Sequence, residues 1–144
     1  MLARRIQKEF NLLGRSYERR QMSRGIERII FTHQGHDIIA DLPPEYPFKP
    51  PNALFVNGAE MSHDYFYNRP KFIMNEMHFS KCCFMCQSFL CGDNWSPSLT
   101  LNNVVTQILN YWNQLQQGHY RVYSRKFGEL PLPDNIVDEI LDFI

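Results

Sequence analysis

Five prolines fall within nine residues near the middle of the sequence, in the string Leu42-Pro43-Pro44-Glu45-Tyr46-Pro47-Phe48-Lys49-Pro50-Pro51. Proline has no backbone N–H, so it cannot continue a strand ladder or the interior of a helix. This string therefore predicts a break between two regular parts of the fold. The apolar run that follows, residues 53–56, predicts a short strand that Asn57-Gly58 terminates.

The residues before the prolines predict a helix followed by a small antiparallel sheet. Apolar residues recur at helical spacing over residues 2–13, and Gly14 is a natural C-terminal stop. The next segment, residues 15–23, is polar and leaves room only for a short edge strand. Alternating residues over 26–33, a turn at Gly35 and a second run over 37–40 predict a β-hairpin.

The residues after the prolines predict a long helix and a short final one. The long helix is predicted to begin after its N-cap, Thr100, and to end at Gly118. Its buried face is marked by apolar residues at helical spacing: Leu101, Val104, Val105, Ile108, Leu109, Trp112 and Leu115. Residues 118–133 are predicted to be irregular. Asp134 is predicted to cap a final helix that ends at Ile144.

Length and composition predict one folded domain over residues 1–144. A chain with 44% hydrophobic and 14% aromatic residues is neither disordered nor collagen-like. Fifteen Lys and Arg balance fifteen Asp and Glu, so we expect no nucleic-acid partner. Charged residues interrupt the apolar runs, so we expect neither a secretory signal nor a membrane partner. A cytoplasmic or nuclear location is the corresponding expectation.

Positive charge is concentrated at the N-terminal end. The first thirty residues contain eight Lys or Arg and only three Glu. On the predicted first helix this charge is carried by Arg4, Arg5 and Lys8. Composition leaves two interpretations open, a docking face for an acidic partner or an ordinary solvated helix face.

All four cysteines lie within ten residues, between Cys82 and Cys91. Such closely spaced thiols cannot staple distant elements of a fold, so free thiols or metal ligands are expected. A zinc site is one alternative, because two of the cysteines have CxxC spacing and further ligands lie nearby. Its candidate ligands are Cys82, Cys83, Cys86, Cys91 and His78. Zinc ligation would consume a thiolate nucleophile and make the cluster structural.

Three parts of the sequence resemble the ubiquitin-conjugating enzyme family. The proline-rich string is similar to the family's YPFKPP signature, and residues 3–10 are similar to its first helix. The string Asn94-Trp95-Ser96-Pro97-Ser98-Leu99-Thr100-Leu101 is similar to the WSP segment that leads into the family's central helix. The resemblance covers residues 1–117 and is to a divergent member, like the cysteine-rich ones of large DNA viruses. It implies an α+β fold with an N-terminal helix, an antiparallel meander, a long central helix and a shortened C-terminal part with one helix.

The resemblance implies acyl transfer that needs no cofactor. In this family a cysteine accepts ubiquitin, or a relative, as a thioester from the activating enzyme and passes it to a lysine with a RING-type ligase. The nucleophile usually lies eight or nine residues before the tryptophan, which indicates Cys86, nine residues before Trp95. The family's asparagine lies eight residues before its cysteine, in a His-Pro-Asn triplet that this sequence lacks. Asn75 is a weak oxyanion candidate, and because it lies eight residues before Cys83, that thiol is the alternative nucleophile.

The resemblance also implies two docking surfaces. The surface for the ligase corresponds here to Phe48, Ser96 and Pro97. The surface for the activating enzyme corresponds to Arg4, Arg5 and Lys8. The missing triplet and the shortened C-terminal part leave another interpretation open, a catalytically inactive member that binds ubiquitin or a ligase as an adaptor.

Overall fold

The structure, a computed structural model, describes residues 2–62, 65–66 and 88–127, the last seven of these by their backbone only. Helix α1 spans Leu2–Leu13 and helix α2 spans Leu101–Phe127. Between them, the described residues form five strands: β1 Glu18–Gln21, β2 Glu27–His33, β3 His36–Leu42, β4 Ala53–Val56 and β5 Ala59–Glu60. A short 3-10 turn, Ser23–Gly25, joins β1 to β2. The predicted α+β class is confirmed.

The sheet is an antiparallel meander in which each strand pairs with the next along the chain. Two-residue turns join β2 to β3 at Gln34-Gly35 and β4 to β5 at Asn57-Gly58. All four of these residues have positive φ, between 50° and 87°, as a tight turn that matches the twist of the strands requires. The predicted hairpin, edge strand and strand at 53–56 are confirmed, whereas β5 was not predicted.

The hydrophobic core lies between one face of the sheet and both helices. Alternation along the strands buries Ile29, Phe31, Ile38, Ala40, Leu42, Leu54 and Val56. Helix α1 adds Ile6 and Phe10, and the Phe10 ring meets the edge of Phe31 with centroids 5.0 Å apart. Helix α2 adds Leu101, Val104, Val105, Ile108, Leu109 and Leu115. These side chains form one continuous cluster, so the two helices cover the same face.

The other face of the sheet carries an ion pair between β2 and β3. Arg28 on β2 donates two hydrogen bonds to the carboxylate of Asp41 on β3, at 2.8 and 3.0 Å. This pairing raises the pKa of Arg28, and the guanidinium lies 5.7 Å from the ring centroid of Phe55. At the edge of the sheet, all four residues of β1 are exposed. Within the described ranges, neither helix has an apolar stretch that could span a bilayer.

Helix α2 begins where the sequence predicts and ends later. Thr100 is its N-cap, since its hydroxyl accepts a hydrogen bond from the Asn103 N–H at 3.3 Å. The predicted end at Gly118 is wrong, because the helix continues to Phe127, so the first part of the segment predicted to be irregular is helical. Gly118 and His119 are both buried, which extends the buried face past Leu115. This packing outweighs the cost of about 1 kcal/mol for glycine inside a helix.

Candidate functional site

The two motif strings of the sequence meet in space. The indole Nε1–H of Trp95 donates a hydrogen bond of 2.7 Å to the carbonyl oxygen of Pro47. The Tyr46 and Trp95 rings lie 5.8 Å apart between centroids, and the Tyr46–Pro47 peptide bond is cis. A proline-rich loop and a tryptophan that are 48 residues apart in sequence therefore form one local unit.

The outward side of this unit carries the three residues predicted to dock a ligase. Phe48 is 65% exposed, which is high for a large apolar side chain. Ser96 and Pro97 are exposed as well. We call Phe48, Ser96 and Pro97 the loop surface. An exposed aromatic side chain on a rigid loop is a suitable anchor for a partner's pocket.

Behind the loop surface lies a buried carboxylate, Glu9 of α1, which is 5% exposed. One oxygen accepts the backbone N–H of Leu101 at 2.7 Å, and the Tyr46 hydroxyl donates to the other at 2.8 Å. Arg5 donates its Nε–H to Glu9 at 3.3 Å. These bonds offset the cost of burying the carboxylate, and Glu9 caps the first turn of α2 from another element.

Glu9 and Tyr46 were not predicted as parts of the site. The local sequence marks Glu9 as one of several charged residues between the apolar positions of α1, and its burial depends on contacts with residues far along the chain. Burial raises the pKa of Tyr46 and the charge of Glu9 raises it further. The phenol therefore keeps its proton and remains a donor to the carboxylate at neutral pH.

Arg5 differs from the other two residues predicted to dock the activating enzyme. Its Nη2 donates to the carbonyl oxygens of Pro97 and Leu99, both at 2.9 Å. The Arg5 side chain is 27% exposed, whereas Arg4 and Lys8 lie on the exposed face of α1. That face also presents Leu12, which is 79% exposed.

Residues 88–94, which include Cys91, form a turn anchored to α2. The Phe89 N–H donates to the side-chain oxygen of Gln107 on α2 at 2.8 Å. The carbonyl oxygen of Ser88 accepts the Cys91 N–H and the Asn94 side-chain N–H, both at 3.1 Å. Phe89 and Leu90 pack against the core. In the sequence, this turn begins two residues after Cys86.

The residues predicted to carry the chemistry lie outside the part of the chain that the structure describes. These are Asn75, His78, Cys82, Cys83 and Cys86, and the predicted helix after Asp134 is outside it too. Cys91, the remaining candidate zinc ligand, is described and is partly buried. Within the described residues, no three His, Cys, Asp or Glu side chains gather as a metal site would require.

The chain matches no protein-family model, and comparison with curated proteins and with solved structures also finds no match.

Proposed function

We propose that this protein is a divergent ubiquitin-conjugating enzyme with the fold of that family. One observation carries the proposal: the Trp95 indole is hydrogen-bonded to Pro47 at 2.7 Å, beside an exposed Phe48. This contact joins the two strings that resemble the family's motifs. The order of the described elements, a helix, a meander, the proline-rich loop, Trp95 and a long helix, also supports it.

In the proposed reaction, the thiolate of Cys86 attacks the thioester carbonyl between ubiquitin and the activating enzyme. The cysteine of the activating enzyme leaves as a thiolate, and ubiquitin is now bound to Cys86 as a thioester. A lysine amine of the target then attacks the same carbonyl, an amide forms, and the Cys86 thiolate is released. A cysteine of ordinary pKa is only partly ionised at neutral pH, yet thiolate is nucleophilic enough that modest activation suffices.

The turn at residues 88–94 favours this proposal, because it is anchored to α2 and lies close to the thiols in sequence. The turn after Cys86 is held by the bond between Phe89 and Gln107 and by the burial of Ser88. The loop surface and the exposed Arg4 and Lys8 then remain available for the ligase and the activating enzyme.

The proposal is tested by thioester formation. Purified protein is incubated with ubiquitin, the activating enzyme and ATP, and the products are separated on a non-reducing gel. We expect a ubiquitin adduct that a reducing agent removes. The adduct should be lost in Cys86→Ser and kept in Cys91→Ser, the matched control. Loss in Cys83→Ser alone would keep the enzyme and make Cys83 its nucleophile.

Two results would contradict the proposal. Failure of the folded protein to form an adduct with ubiquitin or its relatives would favour an adaptor that binds ubiquitin or a ligase without catalysis. One zinc ion per chain in the purified protein, lost in Cys83→Ser and Cys86→Ser together with folding, would instead make the thiols structural.

A further inference from the structure

Arg5 holds the segment that carries two of the three residues of the loop surface, Ser96 and Pro97. Its Nη2 lies 2.9 Å from both the Pro97 and the Leu99 carbonyl oxygens, so one nitrogen bridges two points of the chain. A guanidinium presents several N–H donors in a fixed plane and can serve such a bridge without reorganising. The bridge ties α1 to a loop more than 90 positions away in sequence.

The remaining described hydrogen bonds of residues 96–99 are local. The Leu99 N–H donates to the Ser96 carbonyl at 2.9 Å, and the Ser96 and Ser98 hydroxyls share a bond of 2.9 Å. Pro97 has no N–H to donate. The segment is anchored before it by Trp95 on Pro47 and after it by Leu101 on Glu9. Arg5 supplies the long-range contact between these two anchors.

Both anchors are connected to Glu9, the first through Tyr46, which precedes Pro47, and the second through Leu101. The Glu9 carboxylate accepts from Arg5 at 3.3 Å and from Tyr46, which precedes Pro47 and Phe48 in the proline-rich loop. Glu9, a buried residue of α1, therefore helps to fix the positions of both Phe48 and Pro97. A surface fixed before binding loses less conformational entropy when a partner docks.

We infer that Arg5 is a positioning residue of the loop surface, and that contact with the activating enzyme falls to Arg4 and Lys8. The inference rests on the proposed function for the identity of the two partners, while the role of Arg5 in fixing the loop is independent of it. Two measurements therefore separate the two claims.

The first measurement is amide hydrogen exchange by NMR, with Arg4→Met as the matched control for Arg5→Met. In Arg5→Met the Leu99 and Leu101 amides should exchange on the order of tenfold faster, because charge-assisted hydrogen bonds that hold the loop are lost. The indole signal of Trp95 should shift, and the amides of β2 and β3 should keep their protection. Arg4→Met should leave all of these unchanged. Unchanged exchange at Leu99 and Leu101 in Arg5→Met would overturn the inference.

The second measurement is the KM of the activating enzyme for the protein in the charging reaction. Arg4→Met should raise KM, whereas Arg5→Met should leave it within about twofold of the unsubstituted protein. An equal rise in both variants would show that Arg5 contacts the activating enzyme and would overturn the division of roles. If the unsubstituted protein is never charged, the proposed function fails and the exchange data alone decide the role of Arg5.

Arg5→Lys provides the test if Arg5→Met does not fold. Lysine keeps the charge but has a single side-chain nitrogen, whereas Arg5 reaches Glu9 through Nε and the two carbonyls through Nη2. Faster exchange at Leu99, with β2 and β3 still protected, would support the inference. Exchange equal to that of the unsubstituted protein would overturn it.

Discussion

At the scale of the residue, Glu9 links three parts of the molecule through one carboxylate. It lies on α1, accepts from the proline-rich loop through Tyr46 and caps α2 through Leu101. Removing one member of a buried hydrogen-bonded set costs more than the bond itself, since the remaining partners lose their acceptor without regaining water.

Glu9→Gln should lower the free energy of unfolding by about 2 kcal/mol, because the amide cannot accept from all of these donors. Tyr46→Phe should cost about 1–2 kcal/mol for the lost hydroxyl. Glu18→Gln is the matched control: this residue is exposed and pairs with Arg20 at the surface, so a change below about 0.5 kcal/mol is expected. Urea denaturation measures all three. A Glu9→Gln protein as stable as Glu18→Gln would mean that the carboxylate is not needed.

At the scale of the element, the turn before β2 depends on the absence of a side chain at Gly25. This residue has φ +72°, and a Cβ there would lie 2.9 Å from the Pro44 ring carbon Cγ. Gly14, at the end of α1, has a similar φ of +64° but nothing within 4 Å of such a Cβ. Alanine substitutions at Gly14 and Gly25 therefore separate the energetic cost of backbone strain from that of steric overlap.

Gly14→Ala should therefore cost only the left-handed backbone strain, about 1 kcal/mol. Gly25→Ala should cost about 1–3 kcal/mol more, since the proline ring has little freedom to move away from the added methyl group. Thermal and urea unfolding of both variants give the comparison. Equal losses would show that the loop around Pro44 shifts readily.

The elements differ in how far local sequence predicts them. Strands β2, β3 and β4, helix α1 and the start of α2 follow from periodicity, turn residues and a threonine cap, which act within a few positions. The end of α2 does not, because the buried side of the helix at Gly118 and His119 is defined by tertiary packing and outweighs a local stop signal. Strand β5 was not predicted, although the sequence contains a signal for it, because Asn57-Gly58 is a common hairpin turn.

The residues of the candidate site also differ in how far the sequence predicts their roles. The loop surface could be found from its resemblance to known motifs. The burial of Glu9 and the inward direction of Arg5 could not, because both depend on groups some 90 positions away. Helical spacing places Arg5 at the border of the apolar face and Arg4 opposite it, but no local signal shows which groups Arg5 contacts.

At the scale of the whole molecule, His33 connects the sheet with the rest of the fold. It is 4% exposed at the end of β2. Arg15, between α1 and β1, contacts its Nδ1, and Thr106 of α2 lies 3.5 Å from its Nε2. His36 on β3 is a further neighbour. Burial lowers the pKa of His33, and the charges of Arg15 and His36 lower it further.

This lowered pKa makes stability depend on pH. The unfolded chain binds a proton on His33 near pH 6.5, while the folded protein binds this proton only at lower pH. Stability should be full above that pH and fall as the pH decreases from there toward the lower folded pKa. Urea denaturation at several pH values measures the slope. His33→Gln, which does not titrate, should show a smaller slope below pH 6.5; an identical slope would exclude His33 as the cause.

The bond between Glu9 and Leu101 also bears on the order of folding. Its partners are 92 positions apart, so forming it closes a long loop and costs chain entropy before it gives any stabilisation. The first turns of α2 must therefore begin to form on the strength of Thr100 and their own apolar face. The capping carboxylate arrives only when α1 packs against the sheet. We therefore expect this bond to form late in folding, so that Glu9→Gln should speed unfolding more than it slows folding.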